Sequence, residues 1–315
     1  MSEYVVIDPS ERTFTGSRIN LSAPPRVSFV IPTLNNEKTI GACLESIRHQ
    51  DYPEIEVIVV DGYSKDKTVE IANRYADIVL FDKGTYGSAC KLGFENATGE
   101  IVGMFDADII FPHPNWLRNA VKYFNYNDRV STVEPFNIVP KNASIFAKAY
   151  SALSLELILE RIRTGRGVLG GGNCLLWKDA VVKSGGIDGR LHWGADFTWA
   201  KNLKESGYMV VYTSDPVYHI TMSTLREFLR KQIYGARTFT GLGFDLMGLN
   251  KSELLRQHMV VGMRGLKKMF LNREREWIVY PLLLGARVLS YGTISLRNIF
   301  IKQSEKKISL IDSHN

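Results

Sequence analysis

Residues 101–108 read IVGMFDAD, an apolar run that breaks off into two carboxylates, Asp106 and Asp108, around a single alanine. A run this apolar on both faces predicts a buried strand. Side chains two apart project to the same side, so both carboxylates would emerge together at its end. Moving outward, VSFVIP (27–32), EVIVVDG (56–62) and IVLF (78–81) repeat the strand pattern. Between them lie helical stretches: residues 38–49, with Ile40, Leu44 and Ile47 at helical spacing, TVEIANRYA (68–76), and a segment reaching Ala97. Strands alternating with helices predict an α/β fold with a mostly parallel central sheet flanked by helices. Ligands of such sheets bind beyond the carboxyl ends of the strands. The polar clusters Pro32 to Glu37, Asp61 to Asp66 and Asp106 to Asp108 all fall there.

The second half is less regular. A helix is expected near 144–163, then a glycine-dense loop TGRGVLGGGN (164–173), a strand CLLW (174–177) and the turn SGGIDG (184–189). A helix from Asp196 to about Ser206 follows, and MVVYTSDPVYHI (209–220) reads as two short strands around a turn. The glycines have neither dinucleotide nor Walker spacing and suit a flexible acceptor-side loop.

Apolar residues at 45% and charged residues at 23% of 315 are those of an ordinary globular chain. The net charge of +6 is concentrated late: residues 1–250 hold 27 Lys/Arg against 28 Asp/Glu, residues 251–275 hold seven against two, and residues 276–315 five against three. A basic tail on a neutral body speaks against nucleic acid as a partner and for an anionic surface met by the C-terminus. Cys43, Cys90 and Cys174 are isolated, without C-x-x-C spacing, so neither a disulfide framework nor a zinc site is expected. The first 26 residues read as a polar extension with no secretory pattern, which suggests a cytoplasmic protein.

Two neighbouring carboxylates at a strand end suit a hard divalent cation, Mg2+ or Mn2+, which takes oxygen ligands and shares its remaining positions with water and phosphate. A solvated turn is the alternative. Asp61 ends another strand, where a carboxylate can accept hydrogen bonds from a base or a ribose. Ser64 and Asp66 read instead as caps of the helix beginning near Thr68.

The ordered set VSFVIPTLNNE, VIVVDGYSKDKTVEIA, ATGEIVGMFDAD, GGID and GADFTWAKNLKESGY resembles the inverting family 2 glycosyltransferases of the GT-A fold, over about residues 27–240. The resemblance implies a Rossmann-like GT-A domain over 27–245 and transfer from a nucleoside-diphosphate sugar, UDP- or GDP-linked. It implies an acceptor hydroxyl or phosphate, such as a polyprenyl phosphate or a lipid-linked glycan. By the same resemblance, Pro32, Thr33, Asn35 and Glu37 pack on the nucleoside and Asp61 reads the base. Asp106 serves ribose and metal, Asp108 the metal, and Asp196 acts as catalytic base. The family's usual Glu before that Asp is Ala195 here. His219 falls where related enzymes place a third metal ligand, with a half-buried strand histidine as the alternative. Arg230, Gln232 and Arg237 resemble a segment closing over the diphosphate, or form a solvated helix face. Lys91 stands where an Arg-Asn pair is common, and Trp193 is a candidate sugar platform or a core residue. An N-cap is the structural alternative for Asp196.

From Leu254 to Arg275, Leu255, Met259, Met263, Leu266 and Phe270 recur at helical spacing among Arg256, Arg264, Lys267, Lys268, Arg273 and Arg275. That is a basic amphipathic pattern. WIVYPLLLGARVLSYGTISL (277–296) follows, with Arg287 near its middle. An Arg at the centre of a bilayer is expensive, so residues 246–315 are expected to lie on the cytoplasmic face of a membrane rather than cross it. A helical subdomain packed on the body is the alternative. Two rival functions remain: a sugar-1-phosphate nucleotidyltransferase, against which PTLNNEKT lacks the Gly-rich Arg/Lys loop, and a non-catalytic nucleotide- or sugar-binding protein, against which Asp106, Asp108 and Asp196 are intact.

Overall fold

A computed structural model describes residues 4–7, 14, 16–20, 22–167, 172–192, 194–221, 223–238, 250–286 and 289. Its strands are β1 (Tyr4–Ile7), β2 (Val27–Thr33), β3 (Ile55–Asp61), β4 (Ile78–Phe81), β5 (Ile101–Met104), β6 (Ile109–Ile110), β7 (Val130–Ile138), β8 (Cys174–Trp177) and β9 (Met209–His219). The helices are α1 (Ile40–Arg48), α2 (Thr68–Ala72), α3 (Tyr86–Asn96), α4 (Trp116–Val121), α5 (Ile145–Thr164), α6 (Lys178–Lys183), α7 (Ala195–Glu205), α8 (Leu225–Thr238) and α9 (Lys251–Leu271).

The strands form one sheet in the order β1-β9-β7-β8-β5-β2-β3-β4, with β6 paired to β9. The expected α/β, mostly parallel GT-A sheet is present: β5, β2, β3 and β4 run parallel, as do β1, β9 and β7. β8 makes the sheet mixed by running antiparallel between β5 and β7. Every residue of β2 is buried, as the lack of polar alternation foretold.

Two apolar layers enclose the sheet. One centres on Phe29, Ile31 and Val59 with Leu44, Ile47 and Trp116 from α1 and α4. The other joins Val30, Ile58 and Val60 to Phe94, Val181 and Trp199 from α3, α6 and α7. Each such side chain, taken from water, contributes about 1.5–3 kcal/mol. Gly93 lets α3 approach β2 closely, because a Cβ there would overlap Val30.

Three features differ from the sequence expectation. Residues 4–7 of the polar extension form an edge strand beside β9, and Ile19 from the same extension is buried. Residues 209–219 are one continuous strand, because β7 supplies it with a partner along most of its length despite register shifts. β7 itself was not foreseen: Glu134, Pro135 and Asn137 interrupt its apolar pattern, and Pro inside a run reads as a non-strand signal.

A third cluster joins Leu153 and Leu157 of α5 to Phe228 of α8, Val261 of α9, and Trp277, Tyr280 and Leu283 beyond it. Gly265 and Gly262 of α9 admit the Trp277 and Tyr280 rings against the helix backbone. The described start of the C-terminal segment is thus packed on α5. No helix among the described residues is long and apolar enough to cross a membrane.

Candidate active site

β5 ends at Met104, and Phe105 leads into Asp106 and Asp108. Since β8 runs antiparallel with Cys174 opposite Met104, the residue just before it, Asn173, arrives beside Asp106. The Asn173 side-chain Oδ1 accepts from the Asp106 backbone N–H at 2.8 Å, and its Nδ2 donates to Asp106 Oδ2 at 3.2 Å. Asn173 does this from a left-handed backbone, φ 55°, which Asn adopts more readily than most residues. The Tyr86 hydroxyl at the start of α3 donates to Asp106 Oδ1 at 3.1 Å.

His219 comes from the far end of β9, where β6 pairs antiparallel and sets Ile109 opposite it. Its Nε2 lies 3.3 Å from Asp108 Oδ1. That contact lacks hydrogen-bond alignment, and Oδ1 is buried without a hydrogen bond among the described residues. Burial pushes the Asp108 carboxyl up, but His219 and then Lys231 more than reverse this and hold it below its ordinary value. Ligand atoms of Asp106, Asp108 and His219 all lie within 4.8 Å of one another. Two carboxylates and an imidazole, one oxygen of them orphaned, are a donor set that fits Mg2+ or Mn2+.

Asp196 sits in the first turn of α7, whose N-cap is Gly194 rather than Asp196 itself. Burial, and then the charge of Asp106, push its carboxyl up to about 6. A Cβ on Gly172 would stand 3.2 Å from Asp196 Oδ2, so the glycine preceding Asn173 leaves room at this carboxylate. Glu134 of β7 is buried nearby, its carboxyl pushed well up by burial and by Asp196, and its Oε2 has no hydrogen bond among the described residues.

The loops after β2 and β3 are stitched together. Asn35 Oδ1 accepts from Lys65 N at 2.8 Å, Glu37 Oε2 from Lys67 N at 3.2 Å, and Asp66 Oδ2 from Glu37 N at 3.1 Å. The side chains of Asn35 and Glu37 therefore brace the neighbouring loop. The Thr33 hydroxyl donates to Asn36 Oδ1 at 2.9 Å, and Pro32 lies within β2. Asp61 is fully covered and accepts from Ser64 N at 2.7 Å and Ser64 Oγ at 2.5 Å. Asp66 accepts from Thr68 N at 3.0 Å just ahead of α2, whose N-cap is Lys67 without a side-chain cap, so neither Ser64 nor Asp66 is the N-cap the sequence suggested.

On the other expected residues, Lys91 pairs with Glu95 at 3.8 Å and is not brought to the carboxylates. Arg230 and its neighbour Lys231 are both exposed on α8, but it is Lys231 whose charge reaches the carboxylates: Tyr150, and with it Asp106 and Asp108, raise the Lys231 ammonium above its ordinary value. The side chains of Gln232 and Arg237, and Trp193 altogether, lie outside the described residues.

Sequence reasoning missed Asn173, Tyr86 and Lys231. Only Asn173 left a signal, an Asn between three glycines and a strand. It also missed a shelf at the ends of β3 and β4, where exposed Tyr63, φ 63°, contacts Phe81 at 5.4 Å and carries Lys83 Nζ 4.7 Å from its ring centre.

The family sequence model described as "Glycosyl transferase family 2" matches residues 28–185. The chain is 28% identical over 221 residues to "Glycosyltransferase AglE" of Haloferax volcanii, covering 67% of this chain and 72% of the relative. It is 26% identical over 238 residues to the "Dolichyl N-acetyl-alpha-D-glucosaminyl phosphate 3-beta-D-2,3-diacetamido-2,3-dideoxy-beta-D-glucuronosyltransferase" of Methanococcus voltae, with the same coverage of 67% and 72%. Among solved structures, a mannosyltransferase from Pyrobaculum calidifontis in complex with GDP-Man and Mn2+ superposes with TM-score 0.58 at 19% identity, covering 90% of this chain and 88% of that one.

Proposed function

The chain belongs to glycosyl transferase family 2, and on that premise we propose that it is an inverting, metal-dependent glycosyltransferase moving a sugar from a UDP- or GDP-sugar to a hydroxyl of a lipid-linked acceptor. The observation that carries this is the convergence of Asp106, Asp108 and His219, within 4.8 Å, with a separate carboxylate, Asp196, whose charge Asp106 feels.

The three ligand residues would hold Mg2+ or Mn2+, which when bound neutralises charge gathering on the departing nucleoside diphosphate. Lys231 adds a protein cation facing the same carboxylates and can meet the diphosphate directly. The stitched loops at 33–37 and 61–68 form the nucleoside side of the cleft, with Tyr63 and Phe81 an aromatic surface on which a base can lie.

Asp196 takes the acceptor proton as the acceptor oxygen attacks the anomeric carbon and the bond to the diphosphate breaks on the opposite face. A carboxyl raised to about 6 is still ionised at neutral pH, yet is a stronger base than an ordinary aspartate. An ionised phosphate acceptor needs no such base, so Asp196 favours a hydroxyl over a polyprenyl phosphate as the attacking group. The named activity of the Methanococcus voltae relative supports a lipid-linked acceptor. Such an acceptor places the enzyme peripherally at the cytoplasmic face of a membrane, with residues 27–245 as the transfer domain.

The test is a screen of UDP- and GDP-sugars for Mn2+-dependent hydrolysis and transfer to lipid-linked mono- and disaccharides. Turnover that stops with EDTA supports the proposal. Nucleotide binding without turnover of any donor would falsify it in favour of a binding protein, and pyrophosphate release from a nucleoside triphosphate would favour a nucleotidyltransferase.

A further inference from the structure

Helix α9 is turned the opposite way from an ordinary surface helix. It buries Leu254, Gln257, His258 and Val261 against α5 and the Trp277 and Tyr280 rings, and the Tyr280 hydroxyl donates to the His258 carbonyl. Its basic residues on the flank reach back to α5: Arg264 meets the fully buried Glu160 at 2.9 Å, Arg256 meets it at 3.5 Å, and Lys268 meets Glu156 at 2.6 Å. The large apolar residues point outward. Leu255, Met259, Met263, Leu266 and Phe270 are 50%, 56%, 63%, 43% and 77% exposed. At 100° per residue their spacing confines them to an arc of roughly 80°.

Five large apolar side chains in one exposed row form a surface that water disfavours, and such patches mark a contact with something else. The cations say what. Lys267 borders the row, and Arg273 and Arg275 follow its end; all three are exposed and make no ion pair among the described residues. Residues 251–275 hold seven Lys/Arg against two Asp/Glu. Two copies joined through this row would bring like charges together. A bilayer with anionic headgroups satisfies both features at once, taking the apolar row into its acyl boundary and the cations at its surface.

We propose that α9 is a membrane-docking helix whose Leu255–Met259–Met263–Leu266–Phe270 row inserts into an anionic lipid surface. This deepens the membrane-side placement proposed above, yet it depends on no step of the sugar transfer. The α5–α9 ion pairs and the Gly265–Trp277 contact hold the helix rigidly, so lipid binding would also orient the transfer domain relative to the bilayer.

The test is co-sedimentation of the full chain with vesicles of phosphatidylcholine alone or with about one-third phosphatidylglycerol. The wild type should bind the anionic vesicles. The triple variant Met259→Glu/Met263→Glu/Phe270→Glu, altered only at exposed positions, should lose about tenfold or more in affinity while keeping its melting temperature and donor hydrolysis. Reversing Lys267, Arg273 and Arg275 should reduce affinity for anionic vesicles by about fivefold per cation removed. Equal binding by wild type and triple variant, or no binding by either, overturns the proposal. So does a wild type that is dimeric where the triple variant is monomeric, since a second copy would then cover the row. Vesicle binding through the row without turnover of any donor leaves this proposal standing and removes the transfer reading; turnover with no vesicle binding does the reverse.

Discussion

The two halves of the sheet build the site in different ways. From β2 to β5 the strands are parallel and consecutive polar loops meet at their carboxyl ends, so Thr33, Asp61 and Asp106 are brought together by a local, repeating rule. From β7 to β9 the chain reverses direction beside β5 and returns; Asn173 and His219 reach Asp106 and Asp108 through pairing between distant strands, and Asp196 comes from the first turn of α7. The first half thus supplies a scaffold whose parts foretell one another. The second supplies Asn173, Asp196 and His219, the groups on which the proposed reaction depends. Damage to the second half should therefore disable chemistry with little loss of fold, and damage to close packing should do the opposite.

The largest effect is expected at the junction of the halves. Asp108→Ala should lower transfer by about a thousandfold or more while the chain stays folded, measured as kcat with Mn2+ titrated over EDTA. Retained activity would make His219 and Asp106 sufficient by themselves. Next, Asp196→Asn should cost about a hundredfold in transfer to a hydroxyl acceptor and little with a phosphate acceptor. In the proposed reaction Asp196 acts when ionised, and its carboxyl is raised to about 6, so wild-type transfer should rise with pH through that value and the variant should lose the step. The stability sign runs oppositely. A raised carboxyl stabilises the fold below its unfolded pKa near 4 and loses that contribution as pH rises through about 6. Asp196→Asn should consequently melt no lower than wild type at neutral pH.

Gly265→Ala tests the packing side of the comparison. Its Cβ would overlap the Trp277 ring, and overpacking of this kind costs about 1–3 kcal/mol, seen as a lower Tm with the Mn2+ response intact. Asn173→Gly keeps the left-handed backbone accessible but removes the carboxamide from Asp106; a loss of about tenfold in kcat/KM with unchanged Tm would separate positioning from folding. The smallest effect belongs to Asn35→Ala, which removes one loop-to-loop hydrogen bond, worth about 1 kcal/mol, and should raise the donor KM a few-fold.

Legibility followed the same division. Asp106 and Asp108 could be read because a carboxylate pair closing an apolar strand is a local pattern. Asn35 and Glu37 were placed correctly at the strand end, yet their side chains brace the next loop, which depends on where Lys65 and Lys67 come to lie. Arg230 and Lys231 are adjacent, and only the placement of α8 decides which of their charges reaches the carboxylates. β7 hid behind Pro135 because its pairing to β9 tolerates a register shift there.

By itself, the sequence determined the α/β layering, the parallel half of the sheet, the carboxylate pair and the apolar and basic stripes of α9. These rest on periodicities of two and 3.6 residues and on which side chains leave water. Tertiary structure alone decided that β8 runs antiparallel and delivers Asn173, that Asp196 sits half-buried within reach of Asp106's charge, and that α9 turns Arg256, Arg264 and Lys268 toward α5 and its apolar row out. The physical reason is shared by all three. Strand direction, burial and helix rotation are settled by contacts between residues far apart in the chain, where Glu156 and Glu160 of α5 hold Arg256, Arg264 and Lys268 of α9 and leave its apolar row to face outward.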